Sequence, residues 1–206
     1  MSADSQLALG LQDPVHDAQR SFRAALAALS RPGTVQRAGR PIAGLPLGAA
    51  LSHLLLALTD EDTPVWWQQP DAALERWLRF HTGAQSTAEP GEAAFAVVTD
   101  AATLPPLAQF RGGSLAAPEG SATLLVELPA LEEGPTLHAH GPGIRERQPL
   151  ALAGLPPAFW TQWQANHARF PQGVDLIFTC GERLLGLPRT TRIARLQEVP
   201  KESACT

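Results

Sequence analysis

The sequence predicts a single α/β domain, a three-layer sandwich in which a mixed sheet lies between helices. Three observations predict it. Short apolar runs bounded by Gly, Pro or charged residues recur along the chain, as strands buried on both faces do. Segments with apolar residues three and four apart lie before, between and after them, which is helical spacing. The 206 residues are 44% apolar, enough for one large core at roughly 100–200 residues per domain. No Ser/Gly-rich linker or charge run divides the chain. Residues 1–206 are therefore read as one domain, with 1–10 and 198–206 as loose tails.

Asp13-Pro14 opens the first helix: Asp accepts hydrogen bonds from free helix amides, and Pro suits the first helical position. Val15, Ala18, Phe22, Ala25, Leu26 and Leu29 then form one apolar stripe, expected to face the core, and Ser30–Gly33 stops the helix. Gly48–Leu58 is apolar nearly all round and predicts a buried helix. Pro64–Gln68, carrying Trp66 and Trp67, predicts a strand. Asp71–His81 predicts a third helix with Leu74, Trp77, Leu78 and His81 on one side, and Gly83 as its stop. Ala94–Thr99, Thr123–Leu128 and Thr136–His140 predict strands, with a short helix around Leu104–Phe110. Ala158–His167 predicts a helix displaying Phe159, Trp160 and Trp163. Gly173–Cys180 and Arg183–Leu187 are joined by Gly181-Glu182, a two-residue connection that signals a tight hairpin.

Composition excludes several classes. Net charge is −4 and no basic cluster is present, which excludes a phosphate-tracking nucleic-acid surface. Apolar runs such as Leu54–Leu58 are too short to span a bilayer. Met1–Leu9 lacks the charged and apolar regions of a secretory signal, so the cytoplasm is the expected location. Cys180 and Cys205 match no metal or redox spacing. The chain holds one lysine, Lys201, and no tyrosine. A Schiff-base lysine needs desolvation and a Walker loop needs Lys beside its glycines, so pyridoxal-phosphate and Walker-type chemistry are both excluded.

Four local patterns are candidates for function. His138 and His140 project from one strand face, but no third ligand is visible, so no metal site is predicted. Gly141-Pro142-Gly143 either forms an anion-binding nest or simply ends the strand. Arg79-Phe80-His81-Thr82 closes the third helix, where His81 suits the free carbonyls. Pro188-Arg189-Thr190-Thr191 follows the hairpin, and an arginine fork there suits carboxylate or phosphate. An unbroken hairpin sets Asp175 and Arg189 on opposite faces, unable to pair, unless a bulge intervenes. Arg189 then needs a ligand, another subunit or an acidic group elsewhere in the chain. No nucleophile–base–orienter set has recognisable local spacing.

Several of these segments together resemble the PhnH family, a subunit of the bacterial carbon–phosphorus lyase system. They are Asp13-Pro14-Val15 with Ala18-Gln19, Phe22-Arg23, Ser30 and Pro32-Gly33; Asp62–Trp66; Leu78–Thr82; Ala117-Pro118-Glu119; Gly141-x-Gly143-Ile144; and above all Phe170–Thr191. The resemblance implies the fold of the large domain of pyridoxal-phosphate-dependent transferases without the cofactor. It implies a subunit that pairs with itself and joins PhnG, PhnI and PhnJ in a core complex. With PhnG, PhnI and PhnL, it would support attack of an alkylphosphonate on the ribose carbon of ATP, displacing adenine. The product would be ribose 1-phosphonate 5-triphosphate, cleaved later by PhnJ, with catalysis of the first step resting chiefly on PhnI. Arg79, His81, Gly141, Gly143, Asp175, Arg189, Thr190 and Thr191 become ligand or interface candidates, with no catalytic residue assigned. Such a subunit should expose an apolar patch for its partners, with Trp66/Trp67 and Trp160/Trp163 as candidates. The alternative is an independent binder of a small phosphorylated ligand, with a pocket joining Arg189 to the Gly141–Gly143 turn.

Overall fold

The structure, a computed structural model, describes residues 7–194. Seven strands form the main sheet: β1 (Gln36–Arg37), β2 (Val65–Trp67), β3 (Ser86–Thr87), β4 (Phe95–Val98), β5 (Thr123–Glu127), β8 (Asp175–Cys180) and β9 (Arg183–Leu187). Their order is β1-β9-β8-β5-β4-β2-β3. The pairs from β3 to β8 are parallel, while β9 and β1 pair antiparallel. A second sheet of three strands holds β6 (Leu137–His140) between β10 (Arg192–Ala194) and β7 (Gln148–Leu150).

Alternation along the central strands divides the interior into two cores. Leu124, Val126, Leu176, Phe178, Leu185 and Leu187 point to one side, where they meet Phe159 and Trp163 of helix α4 (Phe159–Ala168). Leu125, Ile177, Val97 and Leu184 point to the other. There they meet helices α1 (Pro14–Ser30), α2 (Ala49–Leu58) and α3 (Ala72–Thr82). A period of two on strands buried on both faces produces this split directly.

The helix boundaries follow their caps. Asp13 accepts from the His16 amide at 3.2 Å, with Pro14 next in line. Asp71 accepts from the Ala73 and Leu74 amides, and Gly83 closes α3 in the left-handed conformation at φ 83°. The hairpin turns at Gly181-Glu182 with Cys180 opposite Arg183.

Four findings differ from the expectations. Strands β1, β3, β7 and β10 have only two or three residues, too few to show a period. The short helix expected around Leu104–Phe110 is a 3₁₀ turn at Leu107–Gln109, preceded by another at Ala101–Thr103. Residues 7–10, read as part of a tail, run against α3: Trp77 Nε1 donates to the Leu9 carbonyl at 3.2 Å. The expected tail at 198–206, with Lys201 and Cys205, lies outside the described residues.

The fourth concerns α1, which is turned so that only the Ala25 and Leu29 edge of its apolar stripe packs against the core. Its buried residues are Ser21, Ala25 and Ala28, whereas Val15, Phe22 and Leu26 are 64%, 52% and 57% exposed. Small side chains let the helix axis approach the sheet, and Gly186 of β9 completes the fit. A Cβ there would stand 2.6 Å from the backbone carbonyl of Ala28.

Candidate functional site

Arg189 sits where the chain leaves the first sheet for the second. β9 ends at Leu187, and Pro188–Thr191 form a turn closed by the Thr191 amide on the Pro188 carbonyl at 2.8 Å. The turn takes Arg189 off the ladder and round to Asp175, so the expectation that these two cannot pair is corrected. The Arg189 amide donates to Asp175 Oδ1 at 2.7 Å and its Nε to the same oxygen at 3.1 Å. Its Nη2 meets both Asp175 Oδ2 and Ser121 Oγ. Its Nη1 donates to the carbonyls of Pro118 and Pro171, at 3.0 and 3.2 Å. The guanidinium is thus satisfied on every edge by its own chain. Of the three partners open to it, the structure supplies the internal acid.

Thr191 is fully buried; its carbonyl takes the Trp163 indole N–H at 2.9 Å, and no partner among the described residues reaches its hydroxyl. Thr190 is partly exposed, and its carbonyl lies close beneath Gly141. The positive φ of Gly141 and Gly143 serves close approach, Gly143 packing on the end of α1 at Ser30. A shallow groove beside Gly143 is lined by Arg31, Arg145 and Arg147 but does not reach Arg189.

His81 accounts for the held N-terminal segment. Its Nε2 lies 3.1 Å from the Ala8 carbonyl, and its ring meets Trp77 and Phe80 edge-on. Arg79 is exposed, and its carbonyl caps α3 by accepting from Gly83 at 2.9 Å. His138 and His140 do share a face of β6, each with a buried Nδ1 that has no partner among the described residues. Burial lowers the His140 pKa, assisted by Arg192, Arg147 and His167. Among the described residues no group of three His, Cys, Asp or Glu is placed to hold a metal ion.

A cavity of about 670 Å³ opens beside α1. Its walls are the segment Leu9–Asp13, the α1 residues Asp17, Arg20 and Ser21, the loop Arg37–Ala43, and His53 of α2. His53 is 5% exposed, on a helix otherwise almost wholly apolar. Its Nε2 accepts from the Arg40 amide at 3.2 Å, so the proton of a neutral ring sits on Nδ1, 3.5 Å from Ser21 Oγ. Ser21 Oγ donates to the Asp17 carbonyl at 2.8 Å. His53 is therefore a donor toward Ser21 and cannot take its proton. The trio is a packed network, not a nucleophile with its base.

Burial lowers the His53 pKa, partly opposed by the Asp17 carboxylate. A histidine depressed in the fold stabilises it fully above the unfolded value, about 6.5. That contribution is lost as pH falls toward the folded value. Melting temperature is accordingly expected to fall on acidification below about pH 6.5. His53→Asn, read by calorimetry across that range, should flatten part of the slope; an unchanged slope would show that His53 does not contribute.

Sequence reading missed this cavity because its walls come from four separate segments. The available signal was His53 itself, a polar group on an all-apolar helix that had to find partners inside.

Two comparisons place the chain among known proteins. The family model described as "Bacterial phosphonate metabolism protein (PhnH)" matches residues 9–194. The chain belongs to the PhnH family. It is 41% identical over 199 residues to the alpha-D-ribose 1-methylphosphonate 5-triphosphate synthase subunit PhnH of Rhizobium meliloti (strain 1021), covering 95% of this chain and 100% of that one. It is 37% identical over 175 residues to the putative C-P lyase subunit protein HtxG of Stutzerimonas stutzeri, covering 85% of each. The PhnH match spans both sheets, all four helices and the cavity. Pro118, Pro171, Asp175 and Arg189, which came from two of the resembling segments, meet at the guanidinium together with Ser121. No helix among the described residues is long and apolar enough to cross a membrane.

Proposed function

We propose that this chain is an accessory subunit of the carbon–phosphorus lyase assembly, cytoplasmic and not catalytic alone. It joins PhnG, PhnI and PhnJ and supports formation of ribose 1-phosphonate 5-triphosphate from ATP and an alkylphosphonate, with release of adenine. The isolated chain pairs with itself. The fold is read as the large domain of pyridoxal-phosphate transferases without the cofactor, in keeping with the single lysine.

One observation carries the reading. Val15, Phe22 and Leu26 form an exposed apolar stripe along α1, the kind of surface that partner subunits bury. The tryptophans do not supply it: Trp67 and Trp163 are buried, and Trp66 and Trp160 pack partly covered against the core. The names of both relatives as subunits support a partner subunit as the occupant.

The test is reconstitution of purified PhnG, PhnI and PhnL with ATP and methylphosphonate, following adenine. Adenine release is expected to require this chain. Phe22→Asp with Leu26→Asp should abolish co-purification with PhnG and PhnI while changing stability by about 0.5 kcal/mol or less, as exposed substitutions do. Adenine release without the chain, or co-purification of the double variant at the level of the unaltered chain, would overturn the reading.

A further inference from the structure

The cavity beside α1 holds cations that its own carboxylates leave unused. Asp13 is committed to the amide and ring of His16, and Asp17 to the Asp13 amide and to Arg20. Both carboxyl groups are held low by these bonds. Two arginines remain at the mouth, on either side of Ala38-Gly39. Arg37 reaches Glu182 only at 3.8 Å, with side chains 77% and 47% exposed, a contact worth little in water. Arg40 has no carboxylate partner among the described residues, its loop being fixed through the backbone by His53. Gly39, at φ 79°, lets that loop cross directly over the imidazole, where a Cβ would stand 2.5 Å from the ring.

Leu9, Ile42 and Ala43 give the cavity apolar lining. This wall is fixed: Trp77 and His81 hold the carbonyls of Leu9 and Ala8, and Gly10 lies flush on the His81 ring. Ser21 and His53 also line the cavity, with their hydrogen bonds made inside the protein.

We propose that this cavity binds a small dianionic oxyanion on an apolar body, such as an organic phosphate or phosphonate. Arg37 and Arg40 hold the head, and Leu9 and Ile42 receive the body. Two guanidinium forks can share the oxygens of a dianionic head between them. The volume lies within the roughly 300–1,000 Å³ typical of small-molecule sites. The site binds without transforming its ligand, since no group in it is activated. Asp17, Arg20 and Ser21 lie on the side of α1 away from Phe22 and Leu26, so the docking stripe and the cavity are separately testable.

The experiment is calorimetric titration of the full chain with phenyl phosphate, inorganic phosphate and benzoate. Phenyl phosphate should saturate one site and bind about tenfold tighter than either the head alone or the monoanion, one tenfold step being a single good contact. Arg37→Ala with Arg40→Ala should weaken it by about tenfold or more with the melting temperature unchanged. Arg145→Ala with Arg147→Ala, in the groove beside Gly143, should leave it unaltered. The proposal is overturned if phenyl phosphate does not saturate, if the Arg37/Arg40 variant binds equally well, or if the Arg145/Arg147 variant loses the binding instead. Loss of binding with adenine release intact would separate this site from the subunit role.

Discussion

Arg189→Ala is expected to lower the free energy of unfolding by about 3 kcal/mol, toward the lower end of what breaking a buried ion pair costs. The side chains of Arg189 and Asp175 are 11% and 21% exposed, so little water can replace the lost partner. Removal of the guanidinium leaves an Asp175 carboxylate without its counter-charge. It also leaves the carbonyls of Pro118 and Pro171 without the donor they share, and an orphaned polar group carries its own desolvation cost. Arg189→Lys should lose much of the same stability, because one ammonium cannot serve Asp175, Ser121 and two carbonyls lying in different directions. Urea unfolding of both variants, with Asp175→Ala and the Asp175→Ala/Arg189→Ala pair, closes a double-mutant cycle. A loss below about 0.5 kcal/mol, the scale of an ordinary surface change, would return Arg189 to the ligand or interface candidates.

How much of this was legible depended on how local the determining physics is. Helices α1 and α3 were readable because their caps are in the sequence: Asp13-Pro14 at one start, Asp71 and Gly83 at the ends of the other. The central strands were readable because Phe95–Val98, Thr123–Glu127 and Asp175–Cys180 lie between neighbours and must be apolar on both faces. The Asp175–Arg189 pair was not, since hairpin register fixes side-chain faces only while the ladder lasts. Pro188, which has no amide to donate, is where it stops. The cavity was invisible for a related reason. Leu9, Arg40 and His53 become neighbours only through packing, and no spacing records that. Arg79, His81 and the Gly141–Gly143 turn stand out in the sequence, and the structure gives His81 and the glycines packing tasks.

The orientation of α1 was legible in principle, and Gly186→Ala tests the reason. A stripe of large apolar residues on a surface helix ordinarily faces the core, but closeness of approach competes with area. Ser21, Ala25 and Ala28 recur at the same helical spacing, and Gly186 faces them from β9. Turning Phe22 and Leu26 inward would push the helix off the sheet and forfeit the close contacts along this seam. An added methyl at Gly186 would meet the carbonyl carbon and oxygen of Ala28 at 2.6 Å and the Leu29 amide nitrogen at 2.7 Å. These are backbone atoms with no rotamer to escape into, so the whole helix must move. Overpacking of this kind costs about 1–3 kcal/mol, against roughly 0.4–1 kcal/mol gained by restricting the unfolded chain. A net loss of about 1–2 kcal/mol corresponds to a fall in melting temperature of about 2–8 °C in a domain of this size. Ala28→Gly should give no rescue, because the crowding atoms belong to the backbone of Ala28 and not to its methyl. Gly120→Ala, with open space around its would-be Cβ, should be near neutral. If Gly186→Ala were equally neutral, α1 would not be seated by close approach, and the outward turn of Phe22 and Leu26 would need another cause.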